Sequence, residues 1–264
     1  MDFKAYLEIS RPHNSFLASS VSLLGSYLAA MQIPELKPAL IAAFIVFIET
    51  GAGNAINDYF DYEIDKINKP QRPIPSGRIT RKEAKTLYFS LITIGILTSL
   101  LVNIYLFIMT IIASTALYTY SWKLKGTPLY GNIIVALMTG LVPVYGGVAV
   151  LKFGLVYYMG LSAFLVNLAR EIIKDIEDMK GDKDKANTLP LKIGEKKSLK
   201  IGTILIILTI ASTVLPLQSE IGWGYYLMII PNIILIKTTI TSIKAFKTGQ
   251  IIKKSNKIQK NLKI

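Results

Sequence analysis

From Thr86 to Trp122 the chain runs for 37 residues without one Asp, Glu, Lys or Arg. Five further stretches share that character: Pro12–Pro34, Gly126–Leu151, Phe153–Ala169, Ile201–Ser219 and Ile221–Ile236. A helix needs about 20 apolar residues to cross roughly 30 Å of bilayer hydrocarbon, so most of these stretches match one crossing. The longest matches two crossings with Asn103 at the turn, and Pro38–Asn57, interrupted only by Glu49, adds another. Eight spans are expected, near 13–31, 38–57, 86–102, 104–121, 131–150, 154–174, 200–217 and 222–243. Backbone polar groups find no water partner in lipid, which leaves only helices and closed barrels as spanning structures. Stretches of this length predict an all-α, polytopic membrane helical bundle, read as a single membrane domain over residues 1–264. The first stretch lacks a cleavable-signal layout and is read as a mature helix.

The charges that do occur are sorted. Lys and Arg exceed Asp and Glu by 30 to 17, a net charge of +13, yet only 18% of residues are charged and the mean hydropathy is +0.44. In a soluble chain such an excess would point to nucleic acid; here hydropathy points to a membrane surface instead, and no nucleic-acid partner is expected. Of the 30 cations, 28 fall before span one, between spans two and three, after spans four and six, and along the last helix and tail. Only Lys37 and Lys152 lie on the other side. By the positive-inside rule the amino terminus, the loops 58–85 and 175–199, and the tail are cytoplasmic, in a multi-pass protein of the cell membrane. The chain has no cysteine, which removes disulfides, thiolate metal sites and a Cys nucleophile.

Most of the acids gather in those two loops. After span two the chain reads Asn57-Asp58-Tyr-Phe-Asp61-Tyr-Glu-Ile-Asp65, and after span six Arg170-Glu-Ile-Ile-Lys174-Asp175-Ile-Glu-Asp178-Met-Lys-Gly-Asp182. Both contain D-x2-D-x3-D, and the offset is constant: 58 to 175, 61 to 178 and 65 to 182. An internal repeat of two four-helix units is the simplest reading. Positions i, i+3 and i+7 share a helix face, so each motif presents a row of three carboxylates if its helix continues past the membrane surface. Two rows facing each other cannot all ionise without bound cations. Oxygen ligands without His or Cys indicate Mg²⁺, which commonly shares its coordination with substrate phosphates. Arg72, Arg78, Lys123, Lys125, Arg170 and Lys174 supply positive charge for a diphosphate. The constellation reads as a metal–diphosphate site, with a solvated acidic helix end as the plainer reading of either motif alone.

Among the remaining candidates, Glu49 is the one carboxylate well inside a span, about two and a half turns before Asp58. It reads either as a catalytic base or as a hydrogen-bonded packing residue. His13, the only histidine, reads as a helix-entry residue. Tyr118, Tyr120 and Tyr145 have faces suited to a carbocation, though Tyr near a membrane surface is commonly an interface residue, as are Trp223, Tyr225 and Tyr226. Lys253–Lys263 suits anionic headgroups and is equally an ordinary inside-positive flank. Acids at one membrane face rather than the midplane disfavour a transporter.

Asn57-Asp58-x2-Asp61-x3-Asp65 followed by Arg72-Pro-Ile-Pro-Ser-Gly-Arg78, with Tyr120-Ser-Trp-Lys-Leu-Lys125 before Asp175-x2-Asp178-x3-Asp182, resembles the UbiA superfamily of intramembrane prenyltransferases. The resemblance covers essentially the whole chain, and the Arg11-Pro-His-Asn14 opening is most similar to the archaeal lipid-forming branch. It implies transfer of a geranylgeranyl group from geranylgeranyl diphosphate to the hydroxyl of geranylgeranylglyceryl phosphate, an aromatic acceptor being the alternative. It further implies that Asn57, Asp58, Asp61, Asp65, Asp175, Asp178 and Asp182 hold Mg²⁺, with Asp61, Asp175 and Glu49 as the catalytic candidates. The implied substrate-binding set is Arg11, Asn14, Arg72, Arg78, Tyr120, Lys123, Lys125, Arg170 and Lys174. Members usually carry nine spans, so the ninth helix is expected to be absent or truncated here.

Overall fold

The computed structural model describes residues 2–182, 187–218 and 229–262, with the side chains of 180–182 and 217–218 outside that description. Among the described residues every regular element is helical. In chain order these are α1 (Phe3–Ser10), α2 (Pro12–Ala30), α3 (Leu36–Phe60), α4 (Tyr62–Asn68), α5 (Arg81–Ser99), α6 (Ile104–Thr119) with a π-turn at Tyr120–Leu124, α7 (Tyr130–Ala149), α8 (Val156–Asp182), α9 (Leu189–Ile193), α10 (Glu195–Val214), α11 (Ile229–Thr248) and α12 (Ile251–Asn261).

Six of these, α3, α6 with its π-turn, α7, α8 up to Met179, α10 and α11, are long and apolar enough to cross a membrane. The 19-residue helices α2 and α5 occupy the other two expected segments but are more polar. Five serines lie in α2, and α5 opens on Arg81-Lys82-Glu83-Ala84-Lys85. The expected span 222–243 begins on residues outside the description, as do Trp223, Tyr225 and Tyr226. Many large apolar side chains along the helices, Phe16, Leu17, Leu97, Tyr105 and Ile112 among them, are exposed, as suits a surface solvated by lipid.

The chain divides into two compact units: Met1–Lys123 with Val142–Val156, and Leu124–Leu141 with Tyr157–Ile264. Helix α7 passes from the second to the first at Leu141–Val142, one residue before Pro143.

In the first unit α3 is the most enclosed helix, burying Ala42, Ile45, Ala52, Ala55 and Ile56 together with Glu49 and Asp58. Helix α2 turns its small residues Ser15, Ser22, Gly25, Ser26 and Ala29 inward, the composition that lets membrane helices approach closely. A Cβ at Gly146 would lie 2.1 Å from the Ser22 carbonyl oxygen, so the end of α7 meets α2 backbone to backbone. Local signals set the helix ends. Asp2 caps α1, Asn103 accepts from the Leu106 amide at the start of α6, and Thr80 with Glu83 forms a reciprocal capping box on α5. Ile74 and Ile79 bury against Ala5, Ile9, Ala55 and Ala84, which pins the loop between α4 and α5 beneath α1 and α3.

In the second unit the core gathers Ala169, Ile173 and Ile176 of α8, Leu199 and Ile206 of α10, Leu235 and Ala245 of α11, and Ile251, Ile258 and the adjoining Leu262 from α12. Helix α12, which carries most of the lysines of the tail, is thus amphipathic. Ile251, Ser255, Ile258 and Gln259 are buried at helical spacing, while Lys253, Lys257 and Lys260 face outward.

Candidate active site

The first aspartate row ends α3. Asp58 lies in the last turn of that helix, Asp61 joins α3 to α4 with φ −78° and ψ 0°, and Asp65 lies in α4. The Asp61 amide still donates to the Asn57 carbonyl at 2.9 Å, and the Asp65 amide to the Asp61 carbonyl at 2.8 Å, so the row follows a nearly continuous helix with a bend at its middle member. Asp58 and Asp65 are each 3% exposed and Asp61 is half-buried.

Buried carboxylates need counter-charge, and two arginines from elsewhere in the unit supply it. Arg72 Nη1 donates to Asp58 Oδ1 at 3.1 Å and to Asp65 Oδ2 at 2.5 Å. Arg11 Nη2 donates to Asp58 Oδ1 at 2.5 Å and Nη1 to Asn54 Oδ1 at 3.0 Å. Arg11 reaches this point because it joins α1 to α2 in the left-handed region, φ 47°; the proline that follows it disfavours the right-handed helical conformation there. Asn54 donates in turn to the Ser10 carbonyl at 3.1 Å, closing the link between α1 and α3.

The remaining sequence candidates of this unit spread around that cluster. Asn57 Oδ1 accepts from the Ser121 hydroxyl at 3.0 Å, which ties the row to the π-turn that begins at Tyr120. Such irregular turns are frequent at functional sites. Lys123, on the same turn, stacks over the Trp122 ring with Nζ 4.3 Å from its centroid. Arg78 pairs with Glu8 at 2.7 and 3.1 Å and donates to the Gln71 carbonyl at 2.8 Å. Its hydrogen bonds to Glu8 raise the guanidinium above its ordinary value. Asn14 and His13 lie exposed in the first turn of α2.

Glu49 is 5% exposed; its Oε1 accepts from the Ser114 hydroxyl at 2.7 Å and its Oε2 from the Tyr145 hydroxyl at 2.9 Å. It therefore ties α3 to α6 and to the end of α7. Tyr118 belongs to an aromatic cluster, with ring centroids 5.6 Å from Phe60 and 5.9 Å from Tyr88.

The second row lies on α8, in the second unit. Asp175 is half-buried and its Oδ2 accepts from Asn132 Nδ2 of α7 at 2.8 Å; Asp178 is exposed. The side chain of Asp182 lies outside the described residues. One turn earlier, Arg170 pairs with Glu171 and lies 3.4 Å from Asn167 Oδ1, while Lys174 is 4.0 Å from Glu171. Lys125 is exposed between the π-turn and α7.

Sequence reasoning missed Asn54, Ser121, Asn132 and Glu8. Asn132 carried a signal, since it is a lone amide in the uncharged stretch Gly126–Leu151.

The donor chemistry of both rows fits a hard divalent cation, being carboxylate and amide oxygens without thiol or imidazole. Among the described residues no three carboxylates converge on one point. In the first row the reason is visible: the Arg72 guanidinium occupies the space between Asp58 and Asp65.

The chain thus combines membrane-length helices, two aspartate rows and arginines paired with the first row. The UbiA prenyltransferase family model matches residues 18–258, and the chain belongs to that family. It is an integral membrane protein. The chain is similar to the digeranylgeranylglyceryl phosphate synthase of Thermococcus kodakarensis, 48% identical over 87% of this chain and 83% of that protein. It is also similar to that of Thermococcus sibiricus, 43% identical over 100% of this chain and 94% of the other. A solved digeranylgeranylglyceryl phosphate synthase structure superposes with a TM-score of 0.84 at 37% identity, over 98% of this chain and 92% of that one. A UbiA homologue from Archaeoglobus fulgidus bound to GPP and Mg²⁺ shares the fold, with a TM-score of 0.68 at 18% identity over 98% and 96%.

Proposed function

We propose that the protein transfers a geranylgeranyl group from geranylgeranyl diphosphate to the free hydroxyl of geranylgeranylglyceryl phosphate, in a Mg²⁺-dependent reaction that forms the second ether of archaeal membrane lipids. The observation that carries this reading is the likeness to digeranylgeranylglyceryl phosphate synthases over nearly the full length of both chains. Both aspartate rows serve as metal ligands: Asn57, Asp58, Asp61 and Asp65 in the first, Asp175, Asp178 and Asp182 in the second. These oxygens would hold Mg²⁺ alongside oxygens of the diphosphate, and the bound cation would stabilise negative charge on the leaving group.

The chain's own residues supply the rest. Arg11 and Arg72 hold Asp58 and Asp65 in place and add positive charge beside the row. Arg78, Lys123, Lys125, Arg170 and Lys174 bind diphosphate or acceptor phosphate, and Asn14 and Tyr120 line the approach. The allylic C–O bond breaks with its electron pair leaving on the diphosphate. The acceptor oxygen forms the new C–O bond, and its proton goes to the departing diphosphate. Glu49, with both oxygens accepting from Ser114 and Tyr145, serves this reading as a tether between helices. The topology that accompanies it has eight spans in two four-helix repeats, with both aspartate rows on the cytoplasmic side.

The test is incubation of detergent-purified protein with Mg²⁺, radiolabelled geranylgeranyl diphosphate and either geranylgeranylglyceryl phosphate or a 4-hydroxybenzoate-type acceptor. A prenylated glycerol lipid is the expected product. Product with the aromatic acceptor alone would overturn the acceptor, and product with neither would overturn the reading.

A further inference from the structure

Two amides grip the helix that carries the second aspartate row, and neither belongs to the motif. Asn132 of α7 donates to Asp175 Oδ2 at 2.8 Å. Asn256 of α12 donates to Glu177 Oε1. Asp175 and Glu177 are two residues apart, so about 200° separates them around the helix; the two amides hold α8 from nearly opposite sides. The second contact is exposed and lies beside a buried cluster that joins the same two helices. Ile251, Ile258 and Leu262 are buried in the same cluster as Ile173 and Ile176, the residues flanking Asp175 on the inner face of α8. Helix α12 offers its apolar face to that cluster, which also holds residues of α10 and α11, and turns its lysines outward.

Resting on the metal-dependent transfer proposed above, we infer that α12, through Asn256 and Glu177, is a positioning element for the second aspartate row, acting together with Asn132. Metal ligands depend on the groups that orient them. A carboxylate free to rotate loses affinity for a small cation that demands near-ideal geometry. Asn132 fixes one oxygen of Asp175 directly. Asn256 fixes the turn between Asp175 and Asp178 from behind by holding the one carboxylate of that turn that points away from the row. The C-terminal basic helix thereby acquires a role in metal binding that its lysines do not suggest.

The experiment uses the full chain in detergent and the variants Asn256→Ala, Glu177→Ala, Glu177→Gln and Lys257→Ala. Mn²⁺ binding is followed by electron paramagnetic resonance without substrate, and the Mg²⁺ concentration giving half-maximal transfer is measured in parallel. Asn256→Ala and Glu177→Ala are expected to raise both constants about 10-fold, with transfer restored at saturating Mg²⁺. Glu177→Gln, which keeps the accepting oxygen, and Lys257→Ala stay at wild-type values. Unchanged metal constants in the two alanine variants, or a Glu177→Gln variant as impaired as Glu177→Ala, would overturn the inference while leaving the transfer reading intact. A lower Tm with the metal constants of the folded fraction unchanged would also overturn it. Wild-type protein that neither binds Mn²⁺ nor transfers a prenyl group would overturn the reading itself, and the inference with it.

Discussion

The Arg72 guanidinium donates to Asp65 Oδ2 at 2.5 Å, and both partners are largely enclosed, with side chains 21% and 4% exposed. The same nitrogen reaches Asp58, so one guanidinium bridges two buried members of the first aspartate row, with Arg11 as a second cation on Asp58. Removing one partner of a buried ion pair leaves an uncompensated charge, a loss of about 3 kcal/mol. Arg72→Ala is therefore expected to lower the Tm of the detergent-solubilised protein and to recover part of the loss when combined with Asp65→Asn. A double variant no more stable than Arg72→Ala alone would contradict this pairing.

Glu49 offers a sharper distinction between a tether and a base. Glutamine keeps the size of the side chain and one accepting oxygen, so Glu49→Gln is expected to retain transfer within about 10-fold of wild type. Glu49→Ala loses both hydrogen bonds and leaves a cavity, costing about 3 kcal/mol in stability. A folded Glu49→Gln protein without activity would assign the proton transfer to Glu49.

Much of this was legible in the sequence, and the exceptions share a cause. Uncharged stretches marked the long helices, since apolar length is a local property. The equal spacing of the two aspartate rows marked the candidate site. Whether the helix continues through the first row is left open by the sequence, and the bend at Asp61 depends on tertiary packing. Arg72, which the sequence offers as a diphosphate-binding candidate, also lies between Asp58 and Asp65, a contact that spacing along a chain does not reveal. Lys253–Lys263 reads as suited to anionic headgroups or as an ordinary inside-positive flank, and neither reading anticipates that α12 is buried along one face. Its lysines dominate the composition, while the pattern Ile251, Ser255, Ile258, Leu262 that buries it carries only a short amphipathic signal.

The close approach of α2 to the end of α7 is a packing prediction. Alanine is the better helix former by about 1 kcal/mol, yet at Gly146 its Cβ would stand 2.1 Å from the Ser22 carbonyl oxygen. Backbone would have to move, and overpacking of this kind costs about 1–3 kcal/mol. Thermal denaturation of Gly146→Ala is expected to show a lower Tm; a higher one would mean that the two helices separate freely.

The central claim is that both aspartate rows serve one Mg²⁺-dependent prenyl transfer. It is tested most directly by the rate of geranylgeranyl transfer to geranylgeranylglyceryl phosphate in Asp61→Ala and Asp175→Ala, each compared with wild type at saturating Mg²⁺ and at matched Tm. Loss of electrostatic stabilisation at a leaving group costs about 100-fold or more, so both variants are expected to fall at least that far. Wild-type rates in either folded variant would contradict the account.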